Sequence, residues 1–294
     1  GDDTFVFSDD RTIGGNVDGG ADTDTLNLGL YSSNINFTIS GLGSVDGLAG
    51  STVGTPNPVG GTFDNIDSLV ADSSVTGSTL TGANAVNTWN IDGADSGTLN
   101  LVAFSGMANL VGGTLVDTFN IGTDGALSFA IDGGTGNDEI IQADGPNIWV
   151  ITLADVGNVT DINGGFVDIE NLTGGTGDDT LAGGDGSDTI LGNQGRDVID
   201  GGTGNDLLRG GTLADEFHFG VNGGTDTIQD FENFQDALHL DASLVGGRTD
   251  GQDIVDTYAT VVGSDTVFTL DDGTTIILEG ETDLTLLYDN VFVV

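Results

Sequence analysis

The chain contains no cysteine, no lysine and only one methionine among its 294 residues. Without cysteine there is no disulfide framework and no thiol nucleophile, so stability must come from packing or from metal. Only four basic residues, Arg11, Arg196, Arg209 and Arg248, stand against 47 acidic ones, giving a formal charge of −43. Phosphate contacts are made by Lys and Arg, so nucleic-acid binding is excluded. No run of about twenty apolar residues occurs, so no membrane span is expected. HExxH and GxSxG are both missing. A proton-abstracting lyase or epimerase would need a basic residue in a recognisable setting, and none of the four arginines pairs with a Lys or Tyr in a motif. Neither acidic pairs, which occur everywhere here, nor the two histidines, His218 and His239, which lie beside inward positions and so face out, mark an active site. The expectation is that these residues carry no catalysis.

What the chain has is glycine, 51 residues of it, and in places the glycines are strictly spaced. Gly174 to Arg209 reads as four nonapeptides, GGTGDDTLA, GGDGSDTIL, GNQGRDVID and GGTGNDLLR, followed by a degenerate GGTLADEFH. Each block is Gly-Gly-x-Gly-x-Asp-x-apolar-x, six residues of turn and three of strand. Glycine lets the turn curl and aim carbonyl oxygens at one point. The sixth-position carboxylates are Asp179, Asp188, Asp197, Asp206 and Asp215. Carboxylate and carbonyl oxygens are the donors calcium takes, six to eight at a time. Two residues on, Leu181, Ile190, Ile199, Leu208 and Phe217 point inward, and strand alternation sends Thr180 and Thr189 outward. Two blocks make one turn of a flattened right-handed coil. Asp179, Asp197 and Asp215 therefore share one edge, Asp188 and Asp206 the other, with an ion between stacked loops.

This block resembles the RTX (repeats-in-toxin) family of calcium-binding β-roll proteins secreted by the bacterial type I route. The resemblance implies that glycine and third-position carbonyls join the aspartates around each Ca2+. Carried over, these are Gly174, Gly175, Thr176 and Gly177, then Gly183, Gly184, Asp185 and Gly186, then Gly192, Gln194 and Gly195, then Gly201, Gly202, Thr203 and Gly204. Asn193 and Leu213 depart from the glycine pattern and weaken the sites that would use them.

Inward apolar rungs continue backwards from Leu181 through Leu172, Trp149, Ile140, Phe119, Leu110, Trp89 and Leu80, with Phe129 and Leu99 as intermediate rungs. Leu69, Leu48, Phe37, Leu26 and Phe5 extend the series, and Ile228 follows Gly223-Gly224-Thr225-Asp226 on the other side. Asp226 is read as one more ligand. Asp3 and Asp24, like Asp117 and Asp138, are 21 residues apart and end in glycine-rich loops, so each pair is expected to hold an isolated calcium. Asn87 and Asn147 take the aspartate position without its charge, and their loops are expected to close without metal. Residues 28–116 read as a plain parallel solenoid. Trp89 and Trp149 read as core, with stacking on a sugar ring as the alternative.

The fold class is all-β: a right-handed parallel β-roll or β-solenoid over 1–231, with the calcium-rich block at 174–231 and an antiparallel cap at 232–294. Within the cap, Thr266–Leu270 and Thr274–Leu278 flank Asp271-Asp272-Gly273 as a hairpin. By resemblance, 232–294 is also the region of an uncleaved type I secretion signal. Gly1 to Phe5 reads as the back half of a repeat, so the chain is expected to be the C-terminal part of a longer secreted or surface protein. The leading functional expectation is a non-catalytic module that folds on extracellular calcium and supports secretion and stability, with the type I machinery as partner. The alternatives are a self-associating or glycan-contacting surface-layer, adhesin or filament component, and an accessory segment of a polysaccharide-acting or proteolytic exoenzyme.

Overall fold

A computed structural model describes residues 1–75, 77–143, 145–153 and 156–294, the side chains of 150–153 excepted. The chain divides into two compact units, 1–140 with 158–169, and 141–157 with 170–294.

The second unit is organised by the inward apolar spacing of the nonapeptides. Its strands stack in two parallel ladders because every block supplies one inward apolar residue per half-turn. In one ladder Asn171–Thr176, Thr189–Gln194, Leu207–Thr212, Thr225–Ile228 and Thr275–Leu278 pair so that Leu172, Ile190, Leu208, Ile228 and Leu278 lie in register. In the other, Thr180–Ala182, Val198–Asp200, Glu216–Phe219, Ala237–Leu240 and Val291–Val293 align Leu181, Ile199, Phe217, Leu238 and Val291. All of these inward side chains are buried, save that no more than a few per cent of Val291 and Leu172 reaches solvent. Parallel strands buried this way gain their stability from stacked apolar rungs.

The expected boundary at 231/232 is not where the ladders end. Ala237–Leu240 and Val291–Val293 continue one of them and Thr275–Leu278 the other, because Leu238, Leu278 and Val291 keep the inward spacing after the glycine grammar has stopped. Asp265–Thr269 does pair antiparallel with Thr275–Leu278, as the hairpin reading expects, and Ala259–Val262 adds a third antiparallel strand. A helix over Gly251–Tyr258 stands between, which the sequence reading did not anticipate. Asp250 caps it by accepting the Asp253 N–H, and Ile254, Val255 and Tyr258 form its buried face.

The first unit is less regular. Phe5, Leu26, Leu69 and Phe104 align across parallel strands, as do Phe37, Leu80, Leu110, Ile131 and Phe166. Two antiparallel excursions correct the expectation of a plain parallel solenoid. Asn36–Leu42 turns back through Leu48–Val53 onto Thr62–Ile66, and Asn87–Gly93 through Ser96–Leu99 onto Val102–Ser105. Asn100 and Leu101, both at positive φ, reverse the chain between Leu99 and Val102. Trp89 stacks on Phe119 at 5.5 Å and meets Phe104 edge-on, wholly buried, so it belongs to the core. Trp149 in the second unit is equally buried. Phe129 is not the rung it was expected to be. It lies in a bend between Leu127 and Ile131, where strand alternation is broken, and 45% of it is exposed while those two are buried.

Candidate metal centre

Asp179, Asp197, Asp206 and Asp215 use their two oxygens differently. Oδ1 accepts the backbone N–H of the corresponding residue one turn earlier. Along one edge of the second unit this runs Asn147 to Asp179 (2.6 Å), Asp179 to Asp197 (2.8 Å), Asp197 to Asp215 (2.9 Å) and Asp215 to Asp236 (3.0 Å). Along the other it runs Asp188 to Asp206 (2.9 Å) and Asp206 to Asp226 (3.0 Å). The pairs expected to share an edge are thus brought together, one turn apart. Asp226 ends its ladder because its in-register neighbour is Ile276.

The first unit repeats the arrangement. Asp117 donates its N–H to Asp138 (2.7 Å) and Asn87 to Asp117 (2.9 Å). Asp3 donates to Asp24 (2.7 Å), although the Asp3 side chain itself is exposed. Asp24 in turn donates to Asp67 (3.0 Å).

The second oxygen is what makes these ladders a candidate metal site. Oδ2 of Asp24, Asp117, Asp179, Asp197, Asp206 and Asp215 is buried with no hydrogen-bond partner among the described residues. None of the ion pairs found among those residues reaches any of the six. A buried carboxylate without a counter-charge is costly, and proteins answer that cost with a metal or with protonation. Burial accordingly pushes Asp117, Asp179 and Asp206 up to about 6 and Asp215 and Asp226 up to about 7, against N–H bonds that pull the other way. Oxygen-only donor sets at loose spacing suit calcium.

The glycines have two separate reasons. Gly175 and Gly177 adopt φ of +100° and +128°, and Asn193 and Leu213 hold the same region at +76° and +86° despite their side chains. The first glycine of a block does not adopt it. A Cβ on Gly174 or Gly201 would instead stand 2.5 Å from Oδ2 of Asp179 or Asp206. The leading glycine keeps room for the carboxylate, where the sequence reading had assigned it an angular role.

Third-position carbonyls reach the seams already engaged. Thr176 O accepts the Gly145 N–H and Gln194 O the Gly177 N–H, both at 2.6 Å, while Thr203 and Asp185 meet through their side chains at 2.8 Å. Asp67 and Asp236 were missed by looking for glycine. The tripeptide Asp-x-apolar, Asp67-Ser68-Leu69 and Asp236-Ala237-Leu238, marks them without it. Asp236 differs in that its Oδ2 accepts the Glu232 N–H at 2.8 Å.

Asn87 and Asn147 show what closes a seam when the charge is absent. Asn87 Nδ2 donates to Ala83 O and Ala85 O (2.9 Å), Gly112 O (3.0 Å) and Asp117 Oδ1 (2.7 Å). Three of these acceptors are carbonyls, so the amide orientation is fixed by chemistry. Asn147 Nδ2 likewise meets Ala143 O, Gly145 O and Gly174 O at 2.9–3.3 Å. An –NH2 group sits where oxygens converge.

The histidines face outward as expected but are half covered. The His218 and His239 rings stack at 4.6 Å, and burial, then His218, holds the His239 imidazolium below its usual range.

No curated protein matches the chain. Solved structures do. A subunit of the mannuronan C5-epimerase from Azotobacter vinelandii is similar at 30% identity over 41% of this chain and 76% of that one, with a TM-score of 0.34. The extracellular lipase of Serratia marcescens is similar at 19% identity over 74% of this chain, with a TM-score of 0.30, and the chain spans 40% of its length. The family model described as RTX calcium-binding nonapeptide repeat (4 copies) matches at residues 165–199, 173–208 and 182–215. Those residues hold the four regular blocks and most of both carboxylate ladders of the second unit, and segment 165–215 therefore belongs to the RTX family of calcium-binding nonapeptide repeats, taking several Ca2+ ions.

Proposed function

We propose that the chain is a non-catalytic calcium-folded module of a secreted protein. The ions would lie in the seams Asp179/Asp197/Asp215 and Asp188/Asp206/Asp226, with further ions at Asp117/Asp138 and Asp3/Asp24. The Asn87 amide supports a donor set for each seam. Its partners are second- and fourth-position carbonyls of its own loop, a first-position carbonyl of the next turn, and the next carboxylate. By the same positions Gly175, Gly177, Gly192 and Asp197 would serve the Asp179 seam. When bound, calcium supplies the positive charge that these buried carboxylates lack.

The observation that carries this reading is the row of buried, unpartnered Oδ2 atoms. At −43 the chain repels itself, and an ion bound only by the folded form stabilises it by RT ln(1 + [Ca]/Kd). Low cytosolic calcium would leave the carboxylate seams open and the second unit loose for type I export, and millimolar calcium outside would close them. Residues 232–294 would carry the export signal while also completing the ladders. A calcium titration followed by circular dichroism and calorimetry tests the module. A cooperative gain of β structure with several ions bound is expected, and a β spectrum unchanged in EDTA would reject the coupling. Fusing 232–294 to a reporter tests the signal separately, a reporter retained inside the cell counting against it.

A further inference from the structure

The only two histidines of the chain and one glutamate converge on the outer face of the strands Glu216–Phe219 and Ala237–Leu240. Parallel register sets His218 directly opposite His239, and Glu216, two residues before His218, shares its face. Opposite Glu216 stands Ala237, whose small side chain leaves the carboxylate room. Glu216 Oε2 is 3.4 Å from His218 Nε2 and 3.6 Å from His239 Nε2, and one ligand atom from each of the three residues lies within 4.8 Å of the others. Phe292, from the next strand, stacks on His239 at 5.3 Å and steadies that ring. Among the described residues, every ion pair of Glu216 is with an imidazole.

We propose that Glu216, His218 and His239 form a site for a borderline divalent transition ion such as Zn2+, chemically separate from the calcium seams. Imidazole nitrogen suits zinc, copper and nickel, whereas calcium takes oxygen, so the two kinds of site sort ions by donor type. Zinc bonds of about 2.0–2.1 Å place tetrahedral donors roughly 3.3 Å apart, close to both carboxylate–imidazole separations seen here. His218, with 31% of its side chain exposed, has the space to tilt towards the ion while Phe292 holds His239. Three protein donors leave the fourth position to water, which makes the site open and exchangeable. The acidic field of the chain draws any cation inward.

The test is a titration of the whole chain with Zn2+ after its oxygen sites are filled by about 1 mM calcium. Co2+ serves as the spectroscopic probe of nitrogen coordination. One Zn2+ per chain is expected beyond the bound calcium, with visible Co2+ bands. His218→Gln and His239→Gln should each weaken Zn2+ at least about tenfold, leaving calcium content and circular dichroism unchanged. Glu216→Gln, at a half-exposed position that cannot upset the core, should weaken Zn2+ in the same way. Zinc binding that survives the double histidine substitution, or no zinc bound beyond the calcium sites, would overturn the assignment.

Discussion

The seam at Asn87 and the seams at Asp197 and Asp206 are built on one backbone plan and closed by opposite means. In the first, an amide donates its two hydrogens into a ring of carbonyl and carboxylate oxygens. In the others, the equivalent carboxylates turn a buried oxygen towards no donor among the described residues. One side-chain atom, nitrogen or oxygen, therefore separates a seam closed by hydrogen bonds from one that the proposed function closes with an ion. The chain keeps both kinds, and on the proposed function the carboxylate seams are the part of the fold that depends on calcium.

The sharpest way to break this comparison is to remove calcium. In EDTA, hydrogen exchange at Ile190, Ile199 and Leu208 should accelerate far more than at Trp89. Equal loss in both places would show that the amide seam does not stand alone. Next in size, Asn87→Asp should cost about 3 kcal/mol in EDTA, the penalty of an uncompensated buried charge, and should add one calcium to the stoichiometry measured by calorimetry. Conversely, Asp206→Asn should lose an ion yet unfold later in EDTA than Asp206→Ala, by about 1 kcal/mol, because the amide can reach the converging carbonyls.

The smallest effect concerns protons. Burial raises the ladder carboxylates to about 6 or 7 in the folded chain from an ordinary value of 3.8. Between roughly pH 4 and 7 the metal-free fold thus binds more protons than the unfolded chain, so its stability grows as pH falls and is lost as pH rises through 6–7. Calcium dependence has the opposite sign, since protons and ions compete for the same oxygens. Denaturant melts in EDTA at pH 5 and pH 8 should show the acid sample as the more stable, and the calcium midpoint should rise on acidification.

Much of this was legible in the sequence because the repeat encodes one contact per block. Asp179, Asp188, Asp197, Asp206 and Asp215 fall on their expected edges since 18 residues make a turn and no insertion disturbs the count. The same counting failed wherever an element left the coil. Phe129 has the right spacing and the wrong backbone, a bend instead of a strand. The helix Gly251–Tyr258 is a single eight-residue element whose Asp250 cap resembles many other aspartates in so acidic a chain. Asp67 and Asp236 were hidden because their loops reach the same geometry without the glycine signature, one through Asn65 at φ +53°. The first-position glycines were recognised for the wrong reason, since close approach of a carboxylate leaves the same residue type behind as a left-handed angle does.

In the second unit, each ladder residue before the last borrows its acceptor from the turn that follows it. Loss of turns from the amino-terminal side strips donors and strands nothing worse than an oxygen that solvent can serve. Loss from the other side takes away Asp236, leaves the Asp215 N–H without its acceptor, and passes that debt upstream one turn at a time. This ladder of the second unit is consequently anchored at one end, like a stair whose treads each rest on the next one down, with the Glu232 N–H on Asp236 as its footing.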